Sequence, residues 1–82
     1  MKLTYDDFLI KIKDQYLEDE ISINLNSNFR ELPGWDSMTG MTILLTIEEE
    51  YNVKIDPIQF KKLITIEDLY RFVENHILKN GQ

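Results

Sequence analysis

Apolar residues recur at three- and four-residue spacing in three separate stretches of this chain, while only one short run alternates as a strand would. That periodicity constrains the fold most, because helices hide one face at a period of 3.6 and an isolated strand has nothing to pair with. From Thr4 to about Glu18, Tyr5, Phe8, Leu9, Ile12 and Tyr16 fall on one side of a helix, with Thr4 suited to cap it and Asp6 and Asp7 in its first turn. Between Glu20 and Trp35, Ile21, Ile23 and Leu25 alternate with polar residues before NSNF and Pro33-Gly34, which reads as a long structured loop for want of a partner strand. Ser37 to Tyr51 forms a second helix stopped by Asn52. Pro57 to Lys62 suits one short helix with Pro at its first position. Thr65 and Asp68 make a capping box for a last helix through Ile66, Leu69, Tyr70, Val73 and Ile77, and Asn80-Gly81-Gln82 should fray. The expected fold is all-α, a small antiparallel bundle of three main helices plus one short helix.

Eighty-two residues suffice for one small domain, 1–82, and leave little room for a large catalytic cavity. Nine Lys and Arg against fifteen Asp and Glu give a net charge of −6, which disfavours nucleic acid and favours basic protein surfaces as partners. An acidic, solvated surface also makes a monomer the simplest expectation. There is no Cys, so neither a disulfide framework nor a thiolate metal site can form. The opening MKLTYDDFLI is unlike a signal peptide and no apolar run could span a bilayer, so a cytoplasmic location is expected.

The second helix carries more apolar surface than a core needs. At roughly 100° per residue, Ile43, Leu44, Ile47 and Tyr51 share one side with Gly40, whereas Met38, Met41 and Leu45 occupy a separate arc about 60° wide. Either the long loop covers this second stripe, or it is an exposed, adaptable patch. Glu48 and Glu49 flank it, either as part of a solvated face with Glu50 or as charges that orient basic partners.

Few residues here could do chemistry. Ser37 as a nucleophile would need a base, and the one histidine, His76, lies near the C-terminus with no spacing that links it to Ser37. The Asn24, Asn26, Asn28 run fails as a calcium loop, because Phe29 and Trp35 stand where Gly and a bidentate Glu are required. Hydrolase chemistry is therefore not expected. Asp36 as a helix cap makes Ser37 the first helical residue, with its hydroxyl outward near unpaired backbone N–H groups where a phosphodiester would be stabilised. Equally, Asp-Ser can be an ordinary helix start.

The wider pattern resembles the acyl carrier protein family, which includes the peptidyl carrier domains. Asp36-Ser37-Met38 is similar to the family's Asp-Ser-Leu, and FRELPGW before it is similar to the family's approach to that motif. TILLTIEEEYNVKI and KKLITIEDLYRFV resemble the family's second and last helices, so nearly the whole chain is covered. The resemblance implies that a phosphopantetheinyl transferase esterifies Ser37 with 4′-phosphopantetheine from coenzyme A, and that Asp36 helps position that reaction. The arm's thiol would then carry an acyl group as a thioester, or an aminoacyl or peptidyl group in a nonribosomal-type pathway. It also implies that Met38, Met41 and Leu45, with Glu48 and Glu49, face partner enzymes: acyl- or aminoacyl-loading ligases, synthases or transferases with basic docking surfaces. Apolar acyl chains would slip between the helices, here against Ile43, Ile47 and Val73.

Two departures favour a specialised pathway, such as secondary-metabolite, surface-glycan or aminoacyl-carrier chemistry, over a housekeeping role in fatty acid synthesis, with fatty-acid-type synthesis kept as the alternative. Thr39 and Thr42 stand where such carriers usually place acids, and Trp35 replaces a small residue before Asp-Ser. Trp35 either packs on the loop or is read by a dedicated partner. A reading from another class remains, an unmodified helical interaction module that binds through Met38, Met41 and Leu45.

Overall fold

The computed structural model describes residues 3–16 and 22–79. Four helices follow in chain order: α1 (Tyr5–Lys13), α2 (Ser37–Tyr51), α3 (Pro57–Lys62) and α4 (Ile66–Lys79). α1, α2 and α4 pack pairwise around one core, which makes this the small all-α bundle that the apolar periodicity predicts. Phe8 and Ile12 of α1, Ile43 and Ile47 of α2, and Ile66, Leu69 and Val73 of α4 are all fully buried. Leu44, placed with the core stripe by its spacing, lies at its edge and is half-buried.

Side chains start the helices, at α1 and α4 as the sequence suggests and at α3 through a cap that it did not single out, Asp56. Thr4 Oγ1 accepts the Asp7 N–H at 3.2 Å, and Asp56 accepts the Gln59 N–H at 2.9 Å ahead of Pro57. At α4 the capping box closes in both directions, Asp68 N–H donating to Thr65 Oγ1 and Thr65 N–H to Asp68 Oδ2. α2 ends on Asn52, which takes the left-handed conformation at φ 56° that Asn tolerates better than most residues.

α1 is shorter than its apolar spacing suggests. It ends at Lys13, and tighter i to i−3 bonds carry the chain on through Gln15 and Tyr16. Tyr16 still reaches the core because its hydroxyl donates to the Phe29 carbonyl, an anchor that a turn delivers as well as a helix. Residues 17–18 of the expected helix, Ile21 of the alternating run and the expected fraying at 80–82 lie outside the described residues.

The long loop does have a backbone partner, contrary to expectation, and that partner is no strand. Asn28 bridges to Thr65, and the Leu25 and Ser27 carbonyls accept from the Glu67 and Ile66 N–H groups. The loop thus pairs with the start of α4, whose first N–H groups have no partner within the helix. Arg30 fastens it to α3 as well. Its guanidinium donates to the Phe60 and Leu63 carbonyls and lies 4.5 and 4.9 Å from the ring centres of Phe29 and Phe60.

Candidate functional site

The loop reaches α2 through a turn that only certain residues can make. Gly34 sits at φ 89°, where a side chain would be strained, and the Trp35 N–H closes on the Leu32 carbonyl at 3.1 Å. Asp36 then takes an extended conformation and caps α2, its Oδ1 accepting the Thr39 N–H at 2.8 Å. This bond, with that of the Thr39 hydroxyl, holds the carboxyl below its ordinary value of 3.8. Ser37 is consequently the first residue of α2, and it is exposed.

Thr39 and Gly40 turn the first helical turn inward and thereby leave Ser37 facing out. Thr39 is buried, its hydroxyl 3.1 Å from the Gly34 carbonyl and 3.0 Å from Asp36 Oδ1, and the Thr42 hydroxyl donates to the Thr39 carbonyl. The family resemblance marked Thr39 only as a missing acid, yet its hydroxyl ties the approach turn to the cap. A Gly inside a helix costs about 1 kcal/mol relative to Ala, a signal of close approach that was available in the sequence. Gly40 indeed lies directly beneath the Trp35 indole.

The apolar arc beside Ser37 is open. Met38, Met41 and Leu45 are 72%, 63% and 53% exposed, so the loop does not cover them. Glu48 and Glu49 are exposed further along, whereas Glu50 lies 3.3 Å from Lys11 and joins α2 to α1. Trp35 is half-buried against the loop and α2, edge-on to Phe29 at 5.8 Å, which accounts for the ring as packing. A depression of about 210 Å³ lined by Gln15, Asp36, Met38, Thr39 and Thr42 adjoins Ser37.

Other candidates for chemistry are spoken for. His76 stacks on Phe72 with its Nδ1 3.2 Å from the Phe72 carbonyl, on α4. Asn24 and Asn28 use their side-chain oxygens to accept the N–H groups of Asn26 and Arg30, as turn-formers do. Among the described residues no group of His, Cys, Asp or Glu could hold a metal ion, and no helix is long and apolar enough to cross a membrane.

Such an arrangement is a helical scaffold with an exposed hydroxyl at the first residue of α2 and an exposed apolar helix face next to it. The family described as a phosphopantetheine attachment site matches residues 9–73, and the chain belongs to this acyl carrier protein family. Among similar proteins, the acyl carrier protein of Campylobacter lari is 30% identical over 71 residues, 87% of this chain and 92% of that protein. The acyl carrier protein of Campylobacter jejuni subsp. doylei is 29% identical over 72 residues, covering 88% and 94%. That of Phytoplasma australiense is 30% identical over 59 residues, covering 72% and 78%.

The protein is therefore a carrier on which enzymes act, and its prosthetic group is covalent 4′-phosphopantetheine. The residues present fit that group. Ser37 offers an exposed hydroxyl at the positive end of α2, and the first turn of the helix contains no acid to repel a phosphodiester.

Proposed function

We propose that Ser37 is the attachment point, and that the chain is a single carrier domain over 1–82 that bears acyl groups as thioesters for a specialised biosynthetic pathway. The observation that carries this reading is the exposed Ser37 at the first position of α2, held outward by the Asp36 cap and the inward Thr39. The arm supplies a thiol that the chain itself lacks, since the sequence contains no Cys. Asp36 fixes where the Ser37 hydroxyl points. Proton removal from that hydroxyl falls to the transferase, because the only imidazole is bonded within α4.

Met38, Met41 and Leu45 form the apolar centre of the docking face, and Glu48 and Glu49 its acidic edge. Partners of this chemistry are a phosphopantetheinyl transferase and loading enzymes or synthases with basic, partly apolar surfaces. Part of the Trp35 ring remains exposed next to this face and can touch the same partners. Thr39 and Thr42 in place of acids leave the first turn of α2 without a carboxylate beyond the Asp36 cap, which supports the specialised pathway. The acidic composition is in keeping with a cytoplasmic monomer.

Intact mass after incubation with coenzyme A and a broad-specificity transferase tests the attachment. The wild type should gain one phosphopantetheine and Ser37→Ala none, with equal thermal stability for the two because the Ser37 side chain is exposed. No gain in the wild type, with a control carrier modified in parallel, would leave an unmodified module that binds through the Met stripe.

A further inference from the structure

An apolar tail tethered at the first residue of α2 would find the nearest apolar interior behind the first turns of that helix, between α2, the preceding loop and α3. That space is filled with aromatic rings. The Trp35 indole presses on Gly40 so closely that a Cβ there would lie 2.8 Å from Trp35 Cη2 and 3.5 Å from Phe60 Cε2. Behind them Phe29 is fully buried, edge-on to Trp35 and 5.3 Å from the Phe60 ring centre. Arg30 locks the cluster by binding the Phe60 and Leu63 carbonyls while covering both Phe rings. Ile43, Ile47 and Val73, where an acyl chain was expected to lie, are 0% exposed in the packed core beyond.

We propose, building on the carrier reading above, that Trp35 closes the helical core to the group held at Ser37, and that the cargo is a short or polar acyl or aminoacyl group kept outside the bundle. An entering chain would have to displace Trp35 from Gly40 and loosen Phe29 and Phe60. A short tail removes too little apolar surface from water to offset that lost packing. A long tail left in water would be sticky and poorly carried, so a closed core selects against it. Outside the core, the depression lined by Gln15, Asp36, Met38, Thr39 and Thr42 adjoins Ser37, with mostly apolar walls and the Asp36 carboxylate among its lining residues.

The absence of Cys allows a test that needs no transferase. In Ser37→Cys the single thiol is alkylated with iodoacetamides carrying a spacer of pantetheine length that ends in an acetyl or a decanoyl amide. Sulfur bonds to the methylene carbon, iodide leaves and the thiol proton goes to buffer. Methyl carbon shifts of Ile43, Ile47 and Val73 report entry into the core, and emission of the single Trp reports displacement of the ring. With Trp35 in place, both adducts should leave the methyl shifts and the emission unchanged. In Ser37→Cys with Trp35→Leu, the decanoyl adduct should shift all three methyls and the acetyl adduct should not.

Core shifts from the decanoyl adduct with Trp35 intact would overturn the proposal. So would a core that stays closed to decanoyl in a folded Trp35→Leu chain. Should Trp35→Leu fail to fold, the milder Trp35→Phe takes its place under the same criteria. Because attachment is chemical, a chain that no transferase modifies would sink the carrier reading while this test still reports on the core.

Discussion

Asp36 sets the direction of Ser37 through its bond to the Thr39 N–H, and the same bond makes the site sensitive to acid. Asp68 does the equivalent at α4, accepting the Thr65 and Ile64 N–H groups, and its carboxyl is likewise held below 3.8. A carboxyl with a lowered folded pKa takes up its proton first in the unfolded chain. The stability it contributes is therefore complete above about pH 4 and is lost as pH falls through the folded values. Thermal unfolding followed from pH 5 to pH 2 should show the midpoint falling with acid, and Asp68→Asn should fall less steeply than the wild type. At neutral pH Asp68→Ala should cost about 1 kcal/mol, the usual size of a lost cap. Both caps were legible in the sequence, because capping depends on residues three apart. The burial of Thr39 was not, because its hydroxyl bonds to Gly34, five residues back, across a turn.

At the scale of elements, α2 was readable as a helix with two apolar stripes, but which stripe faced water depended on where the loop went. The loop is drawn to α4 and α3 instead of across α2. It pairs with the N–H groups of Ile66 and Glu67, and Arg30 serves the carbonyls at the end of the six-residue α3. So short a helix depends on such tertiary bonds for its stability. Arg30→Ala should destabilise the protein by about 2 kcal/mol in denaturant unfolding, as expected for losing hydrogen bonds from a charged donor. Amide exchange at Lys62 and Leu63 should accelerate more than at Ile43 or Ile47. Equal acceleration throughout would mean that Arg30 supports the whole core and not α3 in particular.

For the whole molecule, a net charge of −6 and an exposed Met-Leu stripe ending in Glu48 and Glu49 favour fast encounter with basic partners. Glu48→Lys with Glu49→Lys should raise the KM of a phosphopantetheinyl transferase for the carrier by about tenfold at low salt and change kcat little, as two reversed charges at an interface rim would. The difference should shrink at high ionic strength. A kcat that falls with unchanged KM would place these glutamates outside the docking face. The sequence by itself determined the helix order and the starts of α2, α3 and α4, including Ser37 as the first residue of α2, because periodicity and capping act over three or four residues. Only the tertiary structure decided that Met38, Met41 and Leu45 stay open and that Trp35 lies packed against Gly40 and Phe29. The first follows from contacts between segments far apart in the chain, Asn28 with Thr65 and Arg30 with Phe60, about which local spacing holds no information. Trp35, by contrast, meets Gly40 only five residues on, a close approach that Gly40 hinted at, and needs the distant Phe60 ring to back it.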